Sequence, residues 1–146
     1  MGPTAPRATP IRRRTLQYRL VFKGTSAPNA VNYLLAWDIT GTHVRFLVNI
    51  PPASSRPTAI QASTWPTDGS WHLVVGVYTG TALLLYLDGV QIASASASGA
   101  LATTSAALTV SDNSTTSLTG DVDEVAVWNK VLTPTQISTF YAIGHP

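Results

Sequence analysis

The sequence contains no cysteine, few charged residues and no long hydrophobic run, and each absence excludes a class of protein. Without cysteine there are no disulfides, thiolate nucleophiles or thiolate metal sites. Charged residues make up 11% and hydrophobic residues 45%, so the chain is too apolar to be disordered. No apolar stretch approaches the ~18 residues of a membrane span, and the Pro- and Arg-rich N-terminus predicts no secretory signal. The length of 146 residues predicts one domain.

The charges that are present are unevenly distributed. Residues 1–23 carry six cations and no acid, whereas residues 24–146 carry three cations and seven acids. We therefore expect a basic, Pro-rich extended arm over 1–14 and a folded domain over 15–146. Arginine forms charge-assisted, bidentate bonds with carboxylates, so the arm is expected to bind an acidic protein partner or a larger particle. The residues expected to do so are Arg7, Arg12, Arg13 and Arg14.

Two other interpretations of the arm follow from its composition. One is a solvated tail without a partner. The other is a nucleic-acid contact, but specific recognition requires base-reading elements, and the rest of the chain offers none. Sequence-specific binding of nucleic acid is therefore not expected.

Alternating apolar residues predict short β-strands along most of the chain. Strands are predicted over 15–23, 31–39, 43–50, 59–62, 71–78, 82–87, 90–94, 107–111 and 121–128. In the first strand, Leu16, Tyr18, Leu20 and Phe22 are expected to share one buried face. In the strand over 43–50, the residues expected to share one face are Val44, Phe46, Val48 and Ile50. Asp88-Gly89 is the strongest hairpin signal, because both positions of a tight hairpin turn favour positive φ.

A short helix is predicted at the C-terminal end. Thr133 and Gln136 form a capping box around Pro134, which stands at the first helical position. Ile137, Phe140 and Tyr141 then recur at helical spacing. Strands, turns and one terminal helix together predict an all-β jelly-roll sandwich.

Four motifs in the second half resemble, in order and spacing, those of laminin-G-like domains of the concanavalin A-like lectin/glucanase superfamily. They are DGSWHLV at 68–74, LLYLDG at 84–89, GDVDEVAVWN at 120–129 and LTPTQI at 132–137. The resemblance implies a concanavalin A-like jelly-roll sandwich of two antiparallel sheets. It also implies structural roles for Trp71, His72 and the Asp123-Glu124 pair, with Trp71 in phase with core residues of its strand.

The start of the chain departs from this family, whose domains usually begin with an additional strand. Here only the basic arm precedes the first predicted strand. Either the fold tolerates the loss, or another chain covers the exposed edge of a sheet. Because an uncovered edge is a template for pairing, the departure favours an oligomer or a component of an assembly.

Catalysis is not expected. Glycosidases on this sandwich use two carboxylates about 5 to 9.5 Å apart. The chain has one glutamate, Glu124, and lacks the Glu-x-Asp-x-x-Glu strand that such enzymes show. Its three histidines lie far apart in sequence and have no nucleophile motif. A glycoside hydrolase is therefore the weakest of the alternatives.

Glycan and metal binding are the remaining candidate activities of the loops. Trp65 lies outside strand phase and is the candidate platform for a sugar, with Asp112 and Asn113 as hydrogen-bonding residues. A tryptophan that closes one end of the core is the alternative. Oxygen atoms over 111–114 suit Ca²⁺, but a turn explains these residues equally well, so no cofactor is expected.

The sequence thus predicts a non-catalytic structural or interaction module located outside the cell or on a virion. The leading interpretation is a phage capsid decoration or tail protein that docks through its basic arm and an open sheet edge, with a possible glycan-binding surface. The alternative is an extracellular lectin-like adhesion module.

Overall fold

The computed structural model describes residues 17–25, 31–38, 43–51, 58–62, 66, 68–111 and 120–144. Eight strands and one helix lie in these ranges. The strands are β1 (Gln17–Gly24), β2 (Val31–Asp38), β3 (Val44–Val48), β4 (Thr58–Ala62), β5 (Val74–Tyr78), β6 (Ala82–Leu87), β7 (Val90–Ser96) and β8 (Leu108–Val110), and the helix is α1 (Pro134–Gly144). No helix in the described part of the chain is long and apolar enough to cross a membrane.

The strands form two antiparallel sheets of unequal width. The five-stranded sheet has the order β4-β3-β2-β1-β8, and the three-stranded sheet has the order β5-β6-β7. Every described strand pair is antiparallel. The predicted sandwich with a C-terminal helix is therefore confirmed.

The main core lies between the two sheets. As the alternation predicted, β3 and the position two residues beyond its end turn one set of side chains into this core, namely Val44, Phe46, Val48 and Ile50. From the three-stranded sheet, Leu83 and Leu85 meet them and are fully buried. Burying a side chain of this size stabilises the fold by roughly 1.5–3 kcal/mol.

A second buried cluster occupies the other face of the five-stranded sheet, and it corrects the prediction for β1. Phe22, Leu34, Ala36 and Leu47 are buried together there. A register shift between Arg19 and Val21 marks a β-bulge. Because a bulge adds one residue to its strand, the alternation is interrupted, and both Leu20 and Val21 line the opposite side of the sheet from Phe22.

The chain after β7 is held across the ends of β1, β2 and β3. The Ala102 N–H donates to the carbonyl of Asn49 at 2.8 Å, and the Asn32 side chain donates to the Ala102 carbonyl. The Lys23 ammonium donates to the Ala106 carbonyl at 2.8 Å. These bonds guide the chain from the three-stranded sheet to β8.

The predicted turn and helix cap are both confirmed. Asp88 and Gly89 have φ of 52° and 80°, and they join β6 to β7 where Leu87 pairs with Val90. The Gln136 N–H donates to the Thr133 hydroxyl at 3.2 Å, and the Gln136 side chain accepts the Thr133 N–H at 2.9 Å. This reciprocal pair satisfies two backbone donors that the helix start would leave free.

The prediction of a strand over 121–128 is wrong. Glu124 has a φ of 50°, and its N–H donates to the Asp123 carboxylate at 2.7 Å. Left-handed backbone at Glu124 interrupts the extended conformation that pairing requires. Residues 121–128 consequently belong to neither sheet and are exposed along their whole length.

Candidate binding cleft

A cleft of about 870 Å³ opens between the two sheets. Its floor is the inner face of the five-stranded sheet, to which Tyr33, Leu35 and Trp37 contribute. One wall is β5 with the residues that precede it, and the other wall is the segment over 120–132. Among the described strands, a sheet of three faces a sheet of five and leaves part of its inner face uncovered.

β5 forms an edge of the three-stranded sheet beside this cleft. Its residues pair with β6 from Val74 to Tyr78, and no other described strand pairs with it. An edge strand presents a row of backbone N–H and C=O groups to solvent, and such a row is a template for pairing with another chain. The wall of the cleft is therefore competent to accept a strand.

The opposite wall carries exposed apolar side chains on unpaired backbone. Val127 is 56% exposed. The other exposed apolar side chains of this segment, at 37% to 50%, are Val122, Val125, Trp128 and Val131. Within the described residues, the backbone of 121–131 forms no hydrogen bond with other backbone groups. Leu132, which is buried, anchors the end of this segment in the core. Several exposed apolar side chains on one short segment indicate an interaction site.

Trp71 is exposed at the cleft, which contradicts its expected place in the core. Its exposed fraction is 55%, because β5 begins only at Val74 and Trp71 stands before the strand whose alternation would have buried it. Trp128 lines the same cleft at 42% exposure, with its ring stacked on Phe140 at 5.5 Å. Two indole rings are thus available to a ligand.

His72 binds two carboxylates at the beginning of β5. Its Nδ1 lies 2.8 Å from Asp88 Oδ2, and its Nε2 lies 3.0 Å from Asp68 Oδ1. The other oxygen of Asp88 accepts the Leu73 N–H at 3.0 Å. These contacts tie the segment that carries Trp71 to the turn between β6 and β7, which agrees with the structural role expected for His72.

The electrostatics of this group favour a charged imidazole. Burial disfavours the charge of His72, but the hydrogen bonds and negative charges of Asp68 and Asp88 outweigh it, so the pKa of His72 is raised. The pKa of Asp68 is lowered, chiefly by its hydrogen bond with His72 and also by the Ser70 N–H. Both ring nitrogens of His72 then act as donors.

Three carboxylates, those of Asp121, Asp123 and Glu124, line the cleft on the exposed segment. Asp123 accepts the N–H of its neighbour Glu124, so its carboxylate bonds to backbone of its own segment. No group of three or more His, Cys, Asp or Glu side chains suited to a metal ion occurs in the described part of the chain. Lys130 lines the same cleft, but the three carboxylates outnumber it and make this wall of the cleft acidic.

The site residues predicted from the sequence lie outside the described residues. This applies to the basic arm with its four arginines, Arg7, Arg12, Arg13 and Arg14, and to the glycan candidates Trp65, Asp112 and Asn113. The structure instead identifies Trp71, Val127 and Trp128 as candidate binding residues of the cleft. One signal in the sequence pointed to Trp71: the Asp68-Gly69-Ser70 turn directly before it delays the start of the strand, and Gly69 has a φ of 78°.

A family model described as the concanavalin A-like lectin/glucanases superfamily, of the laminin G type, matches residues 10–138. The chain belongs to this superfamily, and the resemblance inferred from the four motifs is confirmed. Domains of this kind are typically extracellular or surface-associated modules that bind carbohydrate or other proteins, although the superfamily also contains glycoside hydrolases.

Comparison with individual proteins shows less about this chain than the family model does. No curated protein matches the chain. Among solved structures, it is similar to the crystal structure of an S-layer domain-containing protein from Clostridium thermocellum. The identity is 15% and the TM-score 0.39, and the match covers 96% of this chain and 70% of the other.

Proposed function

We propose that this chain is a non-catalytic interaction module that docks onto a protein partner through the cleft between its sheets. The observation that carries the proposal is the pair of unpaired backbone edges, β5 and 121–131, that face one cleft with exposed apolar side chains. Water solvates such an arrangement poorly, because burial of apolar surface is favourable by about 25 cal/mol per Å². A partner that covers the cleft gains this energy.

The carboxylates of the cleft suit recognition better than catalysis. Glycoside hydrolysis requires one carboxyl to protonate the leaving group and another to act from the far side of the sugar ring. Asp121, Asp123 and Glu124 instead stand almost consecutively on one exposed segment, and Asp123 already accepts a backbone N–H. Their arrangement favours attraction of a basic partner.

The proposed setting is the outside of a cell or a virion, where the domain acts as a component of a larger particle such as a phage capsid or tail. The support is the charge asymmetry of the chain, with six cations and no acid over 1–23. Arg7, Arg12, Arg13 and Arg14 are proposed to contribute the basic contacts of this docking.

A displayed library of random seven-residue peptides tests the proposed function. We expect selection on the full chain to enrich extended peptides with basic residues. Val127→Lys, which places a charge in the apolar wall, should remove this binding. Val90→Lys is the matched control, because Val90 is similarly exposed, at 65%, but lies outside the cleft. It stands on β7, at the edge of the three-stranded sheet opposite to β5. If no selected peptide distinguishes the two variants, the cleft is not a docking site.

Carbohydrate is the second candidate ligand, and the exposure of Trp71 and Trp128 in one cleft favours it. A sugar ring packs an apolar face on an indole while its hydroxyls bond to nearby carboxylates. A glycan array with the full chain, Trp71→Ala and Trp65→Ala separates the possibilities. Binding lost only in Trp71→Ala assigns the glycan to the cleft, and binding lost only in Trp65→Ala assigns it to the loop candidate together with Asp112 and Asn113.

A further inference from the structure

We propose that the cleft receives residues 10–16 of a second copy of this chain as an added β-strand. The inference rests on the docking function proposed above and names its partner. It joins two features: a basic segment that lies outside the described residues, and an acidic, aromatic, apolar cleft that lies within them.

The free backbone groups on the walls of the cleft favour a polypeptide as its ligand. The edge of β5 that faces the cleft, and the segment 125–131 that follows left-handed Glu124 on the other wall, both lack backbone partners among the described residues. A single extended chain presents N–H and C=O groups on both of its sides, and β-augmentation uses this property. The five residues of β5 span ~17 Å at about 3.3 Å per residue, a length that a seven-residue segment covers. Pro10 is tolerated because it stands at the first position of such a strand.

The side chains of the cleft provide the chemistry that recognises arginine. Guanidinium groups stack on exposed indole rings and form bidentate bonds with carboxylates. Trp71 and Trp128 supply exposed rings, and the carboxylates of Asp121, Asp123 and Glu124 line the same cleft. The aliphatic stems of arginine can also cover exposed valines such as Val127. Residues 12–14 are three consecutive arginines, and Ile11 and Leu16 flank them with apolar side chains.

Residues 10–16 fit the cleft of a second copy better than the cleft of their own copy. Residue 16 is bonded to Gln17, which begins β1 in the five-stranded sheet. Packed sheets lie about 10 Å apart, and about three extended residues are needed to cross that distance, so Thr15 and Leu16 cannot also pair with β5 of their own domain. The whole of 10–16 therefore cannot form one strand in the cleft of its own copy. The arm of a neighbour has no such restriction, and its positive charge is attracted to the net negative charge of residues 24–146. The contact is head-to-tail, which builds rings or open chains of copies.

Charge reversal on each side of the contact tests the inference with the full chain. One variant carries Arg12→Glu, Arg13→Glu and Arg14→Glu, and the other carries Asp121→Lys, Asp123→Lys and Glu124→Lys. Light scattering over a concentration series at low salt should show self-association of the original chain. We expect each variant alone to associate at least tenfold more weakly, and an equimolar mixture of the two to recover association. Circular dichroism checks that both variants fold.

A synthetic peptide of residues 7–16, RATPIRRRTL, gives a second measurement. It should compete with self-association, and the full chain carrying Val127→Lys should not bind it. Bound peptide should protect the cleft-facing amides of β5 and the amides of 125–131 from hydrogen exchange. The inference is wrong if the original chain is monomeric at every concentration, or if the mixed variants do not recover association. If Val127→Lys abolishes binding of library peptides while arm reversal changes nothing, the docking function stands and this partner is excluded.

Discussion

Replacement of Gly76 by alanine should destabilise the domain, because the ring of Phe46 occupies the space a Cβ atom needs. A Cβ built on Gly76 would lie 2.6 Å from Phe46 Cγ and 2.7 Å from Cε2. Carbon atoms normally approach to about 3.5–4.0 Å, so the overlap is about 1 Å. Phe46 is 7% exposed and packs in the main core, so a shift of its ring away from the new methyl group loses packing contacts there.

The magnitude follows from overpacking, which typically costs about 1–3 kcal/mol. Alanine in place of glycine returns about 0.4–1 kcal/mol by restricting the unfolded chain. We therefore expect Gly76→Ala to lower the free energy of unfolding by about 1–2 kcal/mol, measured by urea denaturation at low protein concentration.

Phe46→Leu is the control for this prediction, since it removes the ring that the new methyl group would strike. In a double-mutant cycle, Gly76→Ala should cost at least ~1 kcal/mol less in the Phe46→Leu background than in the original chain. Simple additivity of the two changes, or a stability of Gly76→Ala equal to that of the original chain, would refute the close approach of the Phe46 ring to Gly76.

Three further predictions concern the elements that hold the cleft walls in place. The raised pKa of His72 means that its protonated form stabilises the fold at pH values below its unfolded pKa of about 6.5. This contribution is lost as pH rises through the higher folded pKa, so a pH series of urea denaturations should show a decline that His72→Gln removes; an unchanged profile would contradict the contacts with Asp68 and Asp88. Ile137→Ala should lower the free energy of unfolding by about 2–5 kcal/mol, because Ile137 is fully buried, and a loss below 1 kcal/mol would show that α1 does not pack on the core. Thr133→Ala should cost about 1 kcal/mol by removing the helix cap, with exposed Thr135→Ala as a control that leaves the cap intact.

Local patterns predicted much of the fold. The Asp88-Gly89 turn and the capping box around Pro134 depend on φ preferences and on side chains within three residues of each other, so each appears where it was expected. The alternation of β3 also predicted its buried face, because a strand without a bulge keeps a period of two. The same local signals identified the superfamily, since its motifs are built from these turns and strands.

The candidate site was predicted less well, because each of its features depends on a neighbour distant in sequence. The pattern of 121–128 is that of a strand, yet a strand requires a partner, and Glu124 adopts left-handed backbone where none pairs with it. Trp71 shows the same effect on a smaller scale. Its alternation with Leu73 and Val75 suggested burial, but β5 starts three residues later and leaves the ring in solvent.

The sequence by itself determined the superfamily, the two-sheet architecture, the hairpin turn, the helix cap and the basic character of residues 1–23. All of these depend on local conformational preference or on composition. Only the tertiary structure decided that, in the described part of the chain, five strands face three, β5 is an edge, and a cleft separates it from an unpaired segment. The physical reason is that pairing and burial are properties of two segments at once, and the sequence of either one does not specify whether the other is present.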